Sequence, residues 1–215
     1  MIRRYHDQGI KVLMTAFGPS DQPHKHNPLT IAYRMAHLVK KHEFDGINVE
    51  WADDQSLRSG KAVSWLNLFT QRLRHLLPQS IIVHSPKASY FDEEAYEKGY
   101  ALFHRLTGKA VDFYNIKYYK EGSYTNYRHM FESSGVSVKG LMQKGVSGCQ
   151  IVVEKPLERK VSGWMDKTYM NWAFKKAYSS FGWYSGLAYW QYNNDGDGEI
   201  MRNSIKDIRL TCQQD

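Results

Sequence analysis

The segment Phe44-Asp45-Gly46-Ile47-Asn48-Val49-Glu50-Trp51-Ala52-Asp53 constrains this 215-residue chain more than any other. Ile47, Val49 and Trp51 alternate with Asn48, Glu50 and Ala52. That is the two-residue period of a strand, whose side chains point to opposite faces. One row is bulky and apolar. The other holds an amide and a carboxylate, and a strand buries a carboxylate only for a reason, because a buried charge is costly unless paired.

The rest of the chain alternates strand-like and helix-like stretches. Residues 2–8 read as the tail of a helix ended by Gly9, and residues 10–18 as a short apolar strand closed by Gly, Pro and Ser. A loop at 19–28 leads into a helix at 28–42, with Pro28 suited to its first turn and Ile31, Met35, Leu38 and Val39 forming an apolar stripe. After the 47–52 strand come a loop at 53–60, a helix at 61–77 and a strand at 81–86. A helix at 92–107, a strand at 111–119, a short helix at 124–133 and a Gly-rich connection follow. The expected pattern closes with a strand at 150–153, a helix at 166–181, a strand at 186–191 and a helix at 199–209. Strands separated by helices indicate βαβ units and a parallel sheet. The length suits one domain, residues 1–215.

Composition narrows the function. No apolar run approaches the roughly 20 residues that span a bilayer, so no membrane role is expected. A net charge of +7 could favour nucleic acid. The Lys and Arg residues are scattered through helical segments, however, and no nucleic-acid motif is present. Cys149 and Cys212 are too few and too far apart for a disulfide framework or a metal site. The opening Met1-Ile2-Arg3-Arg4-Tyr5-His6 lacks the apolar core of a signal peptide, and the compartment stays open.

The central segment resembles the fourth barrel strand of glycoside hydrolase family 18, the chitinase family, whose signature runs D-G-x-D-x-D-x-E. Asp45-Gly46 matches the opening, and Asn48, Glu50 and Ala52 fall where the family has Asp, Asp and the acid Glu. Met14-Thr15-Ala16-Phe17-Gly18 is similar to the Ser-Ala-Phe-Gly that ends the third strand of the fungal branch. Asp112-Phe113-Tyr114-Asn115-Ile116-Lys117-Tyr118-Tyr119-Lys120 is similar to the fungal sixth strand, Asp-Trp-Tyr-Asn-Val-Gln-Phe-Tyr-Asn. The resemblance covers nearly all of residues 9–209. It implies an α/β fold, a (β/α)8 TIM barrel lacking its first two strands. Two unpaired sheet edges then invite a partner or a missing segment that completes the barrel.

The resemblance also implies site roles. Family 18 uses no enzyme nucleophile: the acetamido oxygen of the substrate attacks the sugar carbon, and the strand-ending Glu gives the proton. Here that position is Ala52, and loss of a general acid typically removes ~10²–10⁴ in rate. Glu50 sits about 6.6–6.8 Å below Ala52 along an ideal strand, and Asp53 faces away unless the strand ends at Ala52. Tyr119 falls on the tyrosine that donates to the acetamido group, and Trp190 on the floor against which the sugar packs. Asn115 and Lys117 share the face of Tyr119, and Lys117 is expected to pair with Glu50, since a lone buried ammonium is costly. The implied catalytic set is Glu50, Asp53 and Tyr119, with Asn48 and Ala52 degenerate. The implied substrate-binding set is Asn48, Asn115, Lys117 and Trp190. As core alternatives, Trp190 is a barrel aromatic, Tyr119 a strand aromatic and Glu50 half of a structural ion pair.

No cofactor or metal is expected. Asn193-x-Asp195-x-Asp197-Gly198 imitates the start of a calcium loop, but its twelfth position is Ser204 rather than Glu. His24, His26 and His84 lack partners at metal spacing and read as surface or core residues. The leading expectation is a chitinase-like protein with little or no hydrolase activity that binds chitin or other N-acetylglucosamine-containing oligosaccharides. The alternatives are an active hydrolase using Glu50 or Asp53 as acid, and a scaffold whose cleft no longer holds sugar.

Overall fold

A computed structural model of the chain describes residues 2–18, 20–121 and 124–191. The helix expected at 199–209, the acidic turn at 193–198 and Cys212 lie outside these residues. The described strands are parallel and ordered β1-β2-β3-β4-β5-β6, so each follows its sequence neighbour across the sheet. Strands joined in this way through helices give the expected (β/α)8 barrel topology, with six of its eight strands. The chain divides into two compact units, Met1–Tyr114 and Asn115–Asp215.

The first unit opens with α1 (Ile2–His6). Gly9 follows in the left-handed region at φ 71°, where glycine carries no steric penalty. β1 (Leu13–Ala16) leads to α2 (Pro28–Lys41), whose cap Asn27 accepts hydrogen bonds from the Leu29 and Thr30 amides. β2 (Gly46–Val49), α3 (Asp54–Arg58), α4 (Lys61–Leu76), β3 (Ile81–His84) and α5 (Tyr100–Thr107) follow, and β4 (Phe113–Lys117) begins here. Ala16 pairs with Val49 and Val49 with His84, which aligns the C-terminal ends of β1, β2 and β3, and His84 pairs with Tyr114 near the start of β4. The row Ile47, Val49 and Trp51 is buried, whereas Asn48, Glu50 and Ala52 are half-buried. This is the two-faced strand that the alternation demanded.

His84 is a core histidine. Its ring nitrogens lie 3.1 Å from Thr70 Oγ1 and 3.2 Å from Tyr100 Oη, and burial pushes its pKa down to about 3. It is therefore a neutral spacer at pH 7.

The second unit contains the end of β4, then α6 (Tyr127–Phe131), α7 (Val138–Gln143), β5 (Ile151–Pro156), α8 (Lys167–Phe181) and β6 (Gly186–Trp190). β5 and β6 pair in parallel, with Glu154 opposite Ala188 and Pro156 opposite Trp190. Phe131, Phe174 and Trp183 pack edge and face together in its core, and Trp183 Nε1 donates to the Ile151 carbonyl at 3.1 Å.

Several boundaries differ from expectation. The 53–60 stretch contains α3, because Asp53 caps it by accepting from the Ser56 amide. The 92–107 helix starts only at Tyr100. Asp92 Oδ1 accepts from the Glu94 amide and its carbonyl from the Tyr96 amide, a local turn that competes with helix. The Gly-rich connection holds α7, capped by Ser137, which accepts from the Gly140 amide. β5 runs three residues past Val153, and Cys149 is disulfide-bonded, which its sequence position did not suggest. No described helix is long and apolar enough to cross a membrane.

Candidate functional site

In barrels of this topology the loops after the strands carry the chemistry. In the first unit that face holds the end of β2. Ladder pairing stops at Val49, but the burial alternation continues through Ala52. Asn48 Oδ1 accepts from Ser85 Oγ at 2.7 Å, a partner supplied by the residue after β3. Trp51 is buried, and its Nε1 donates to the Asp53 carbonyl and to Ser56 Oγ, both at 3.1 Å. Its ring packs against Phe17 and Trp65. The indole thereby fixes where the chain turns out of the strand, and so where Ala52 and Asp53 sit.

Asp53 is already engaged. One oxygen caps α3, and the other lies 2.8 Å from His24 Nδ1, with both of these atoms shielded from solvent. The loop that carries His24 is pinned in turn by Trp65, whose Nε1 donates to the His26 carbonyl at 2.7 Å. His24 therefore has a partner that spacing alone did not reveal, since the two residues are 29 positions apart in sequence.

The second unit holds the other candidate residues. Burial alternates along β4, with Asn115 and Lys117 half-buried on one face and Ile116 and Tyr118 buried on the other. Glu50 belongs to the first unit and Lys117 to the second, so their expected pairing joins residues of different units. Tyr119 and Trp190 come together as a stacked pair, centroids 6.3 Å apart and planes 23° from parallel. Tyr119 Oη donates to Glu154 Oε1 at 2.8 Å. Glu154 is only 7% exposed.

Sequence reading ended the strand before Glu154 and so missed this carboxylate. The signal was present in its two-residue spacing from Val152. Gly163 is a second missed determinant. A Cβ there would lie 2.7 Å from Tyr119 Cα, so only glycine lets this segment lie against the backbone of the tyrosine.

Behind Tyr119 lies a buried lysine. Lys155 is 1% exposed, and its Nζ donates to the carbonyls of Tyr118 and Tyr124, each at 2.7 Å. It ties the turn after β4 to β5. Burial pushes its pKa down to about 7, while the two carbonyl acceptors favour the ammonium and oppose that shift. Between about pH 7 and the ordinary lysine range near 10.5, the unfolded chain holds this proton and the folded chain does not. Stability should therefore rise with pH across that window, by ~2–4 kcal/mol after allowing for the carbonyls. Chemical denaturation of wild type and Lys155→Met over that range measures it. A slope that is the same in both proteins would contradict the assignment.

Among the described residues no three His, Cys, Asp or Glu side chains converge on a metal position.

No protein-family model matches the sequence, and no curated protein matches it. Solved structures do. A chitinase from Pseudoalteromonas aurantia of glycoside hydrolase family 18 superposes with a TM-score of 0.83 at 21% identity, covering 96% of this chain and 79% of that one. The fold is that of family 18. A fungal endo-β-N-acetylglucosaminidase of family 18 aligns with a TM-score of 0.73 at 16% identity, over 99% of this chain and 76% of its own. Human YKL-39, described as a pseudo-chitinase with retained chitooligosaccharide binding properties, aligns at 0.63 and 12%, over 96% and 81%. A chitinase, an endo-β-N-acetylglucosaminidase and a pseudo-chitinase thus share this fold. The fold leaves the activity to be argued from the site.

Proposed function

We propose that this protein binds N-acetylglucosamine-containing glycans at the C-terminal ends of its strands and hydrolyses them little or not at all. The observation that carries this reading is the residue after Trp51. Ala52 offers a methyl group where the resembled family keeps its proton donor, and a methyl group cannot give a proton. The binding half of the proposal rests on Trp190, half-buried and stacked on the buried Tyr119, an aromatic face of the kind against which an apolar sugar face packs. Human YKL-39, a pseudo-chitinase with retained chitooligosaccharide binding properties, is a precedent on this fold.

The competing enzyme reading would draw its proton from Glu50 or Asp53. Asp53 is poorly suited, because its oxygens serve the α3 cap and His24. A scaffold with an empty cleft is the third reading. The proposal further holds that a partner or an additional segment pairs with the outer strands β1 and β6.

Calorimetry with chitotetraose and turnover of a fluorogenic chitobioside separate these readings. Binding without turnover is expected, and Trp190→Ala should weaken binding at least about tenfold, as loss of a central aromatic anchor does. Turnover that disappears in Glu50→Gln would establish the enzyme instead. Absence of any glycan binding would leave the scaffold.

A further inference from the structure

The aromatic floor carries a cation. Lys120, the residue after Tyr119, adopts φ 62° and is tied by its amide to the Ser162 carbonyl at 2.9 Å. Its ammonium lies 4.2 Å from the centroid of the Trp190 ring and 5.9 Å from that of Tyr119. The side chain is exposed, so this is a solvent-accessible charge resting on the ring face where a sugar would stack. A second lysine, Lys117, ends β4 two residues before Tyr119. Both lysines replace neutral residues, Gln and Asn, of the resembled fungal strand.

We propose that Lys120 makes the Trp190 floor selective for an acidic glycan, a pyranose bearing a carboxylate or a sulfate ester. This inference rests on the glycan-binding reading and names the ligand class of that site. A neutral sugar that stacks on Trp190 must displace the ammonium and forfeits the cation–π contact. An acidic sugar displaces it equally but recovers the charge, because the freed ammonium has an anion within the reach of a flexible four-carbon stem. Of the carboxyl groups near Lys120, Glu154 is buried and holds the Tyr119 hydroxyl, so it sits behind the tyrosine, and Glu121, the next residue, has one carboxyl oxygen shielded from solvent. Lys120 lies on the exposed side. A basic chain with net charge +7 adds long-range attraction for such a ligand.

The test is calorimetry of the full chain at low salt with three tetrasaccharides. They are chitotetraose as the neutral reference, a hyaluronan tetrasaccharide carrying carboxylates and a 6-O-sulfated chitotetraose carrying sulfate esters. At least one acidic sugar should bind about three- to tenfold more tightly than chitotetraose, the scale of one exposed ion pair plus one cation–π contact. Which of the two does so identifies the acidic group. The preference should shrink as salt rises toward ~0.3 M.

Lys120→Gln should abolish the preference while leaving chitotetraose binding equal or tighter, and Lys120→Arg should retain it. The position is exposed, so these variants should fold, and an unchanged melting temperature checks that. Chitotetraose binding as tight as that of both acidic sugars, or a preference that survives Lys120→Gln, overturns this inference alone. No binding of any of the three overturns it together with the glycan-binding reading.

Discussion

Gly46→Ala is expected to cost ~3 kcal/mol of folding stability, at the upper end for overpacking a rigid site. A Cβ built on Gly46 would lie 1.9 Å from the Ile81 carbonyl oxygen and 2.7 Å from both its carbonyl carbon and its amide nitrogen. All three are backbone atoms of β3, held by the pairing of Gly46 with Ile81, so no side chain can swing aside. Relief requires β2 and β3 to separate at their shared start.

The preceding residue explains why the chain is committed there. Asp45 accepts from the Val12 amide at 2.8 Å, and also from Lys11 and His6. Burial raises its pKa, but these donors outweigh burial and hold it at about 2. Asp45 therefore anchors the entry to β2 while Gly46 lets β3 pass close by. Most Gly→Ala changes at tolerant sites stabilise a protein by roughly 0.4–1 kcal/mol through the unfolded state, so the sign itself is diagnostic. Urea denaturation measures it, and a loss under ~1 kcal/mol would contradict the close approach.

The sequence was legible where one physical rule dominated. The β2 alternation survived into the structure because the pleat admits no other arrangement of Ile47, Val49 and Trp51. The stripe of α2 and its Asn27 cap were readable for the same reason, since periodicity and cap chemistry are both local. Failures came where a local rule met a long-range partner. Asp53 looked like a loop carboxylate, yet it caps α3 and faces His24, a residue from another loop. Glu154 and Lys155 looked like the end of a strand because they are charged. Their partners, Tyr119 on one face and two carbonyls on the other, come from a different part of the chain and permit burial. Gly163 gave no signal of its own, because the need for glycine comes from the Tyr119 backbone that lies against it.

Ala52→Glu alone is expected to recover little hydrolysis, although it puts a carboxyl group where the resembled family keeps its proton donor. A general acid typically contributes ~10²–10⁴ in rate, but only when it is held at the right height and protonation state. In the resembled family the residue two before the acid is an Asp that orients the acetamido group. Here it is Glu50, one methylene longer, so its carboxyl group projects farther than an Asp would. Asn48 is a neutral amide that takes a hydrogen bond from Ser85 Oγ at 2.7 Å. A carboxylate at position 48 could accept the same bond, so Asn48→Asp keeps the contact with Ser85. The added Glu in Ala52→Glu would thus stand above a neutral amide and a misplaced carboxylate, and Lys117 would still stand where the resembled family has Gln. Combining Ala52→Glu with Asn48→Asp, Glu50→Asp and Lys117→Gln should raise turnover of the fluorogenic chitobioside by a further ~10²-fold over Ala52→Glu. Folding of the combined variant is checked separately by its melting temperature. If Ala52→Glu alone already turned the substrate over as fast as the combination, the missing proton donor would be the only defect of the site, and the roles assigned to positions 48, 50 and 117 would be wrong.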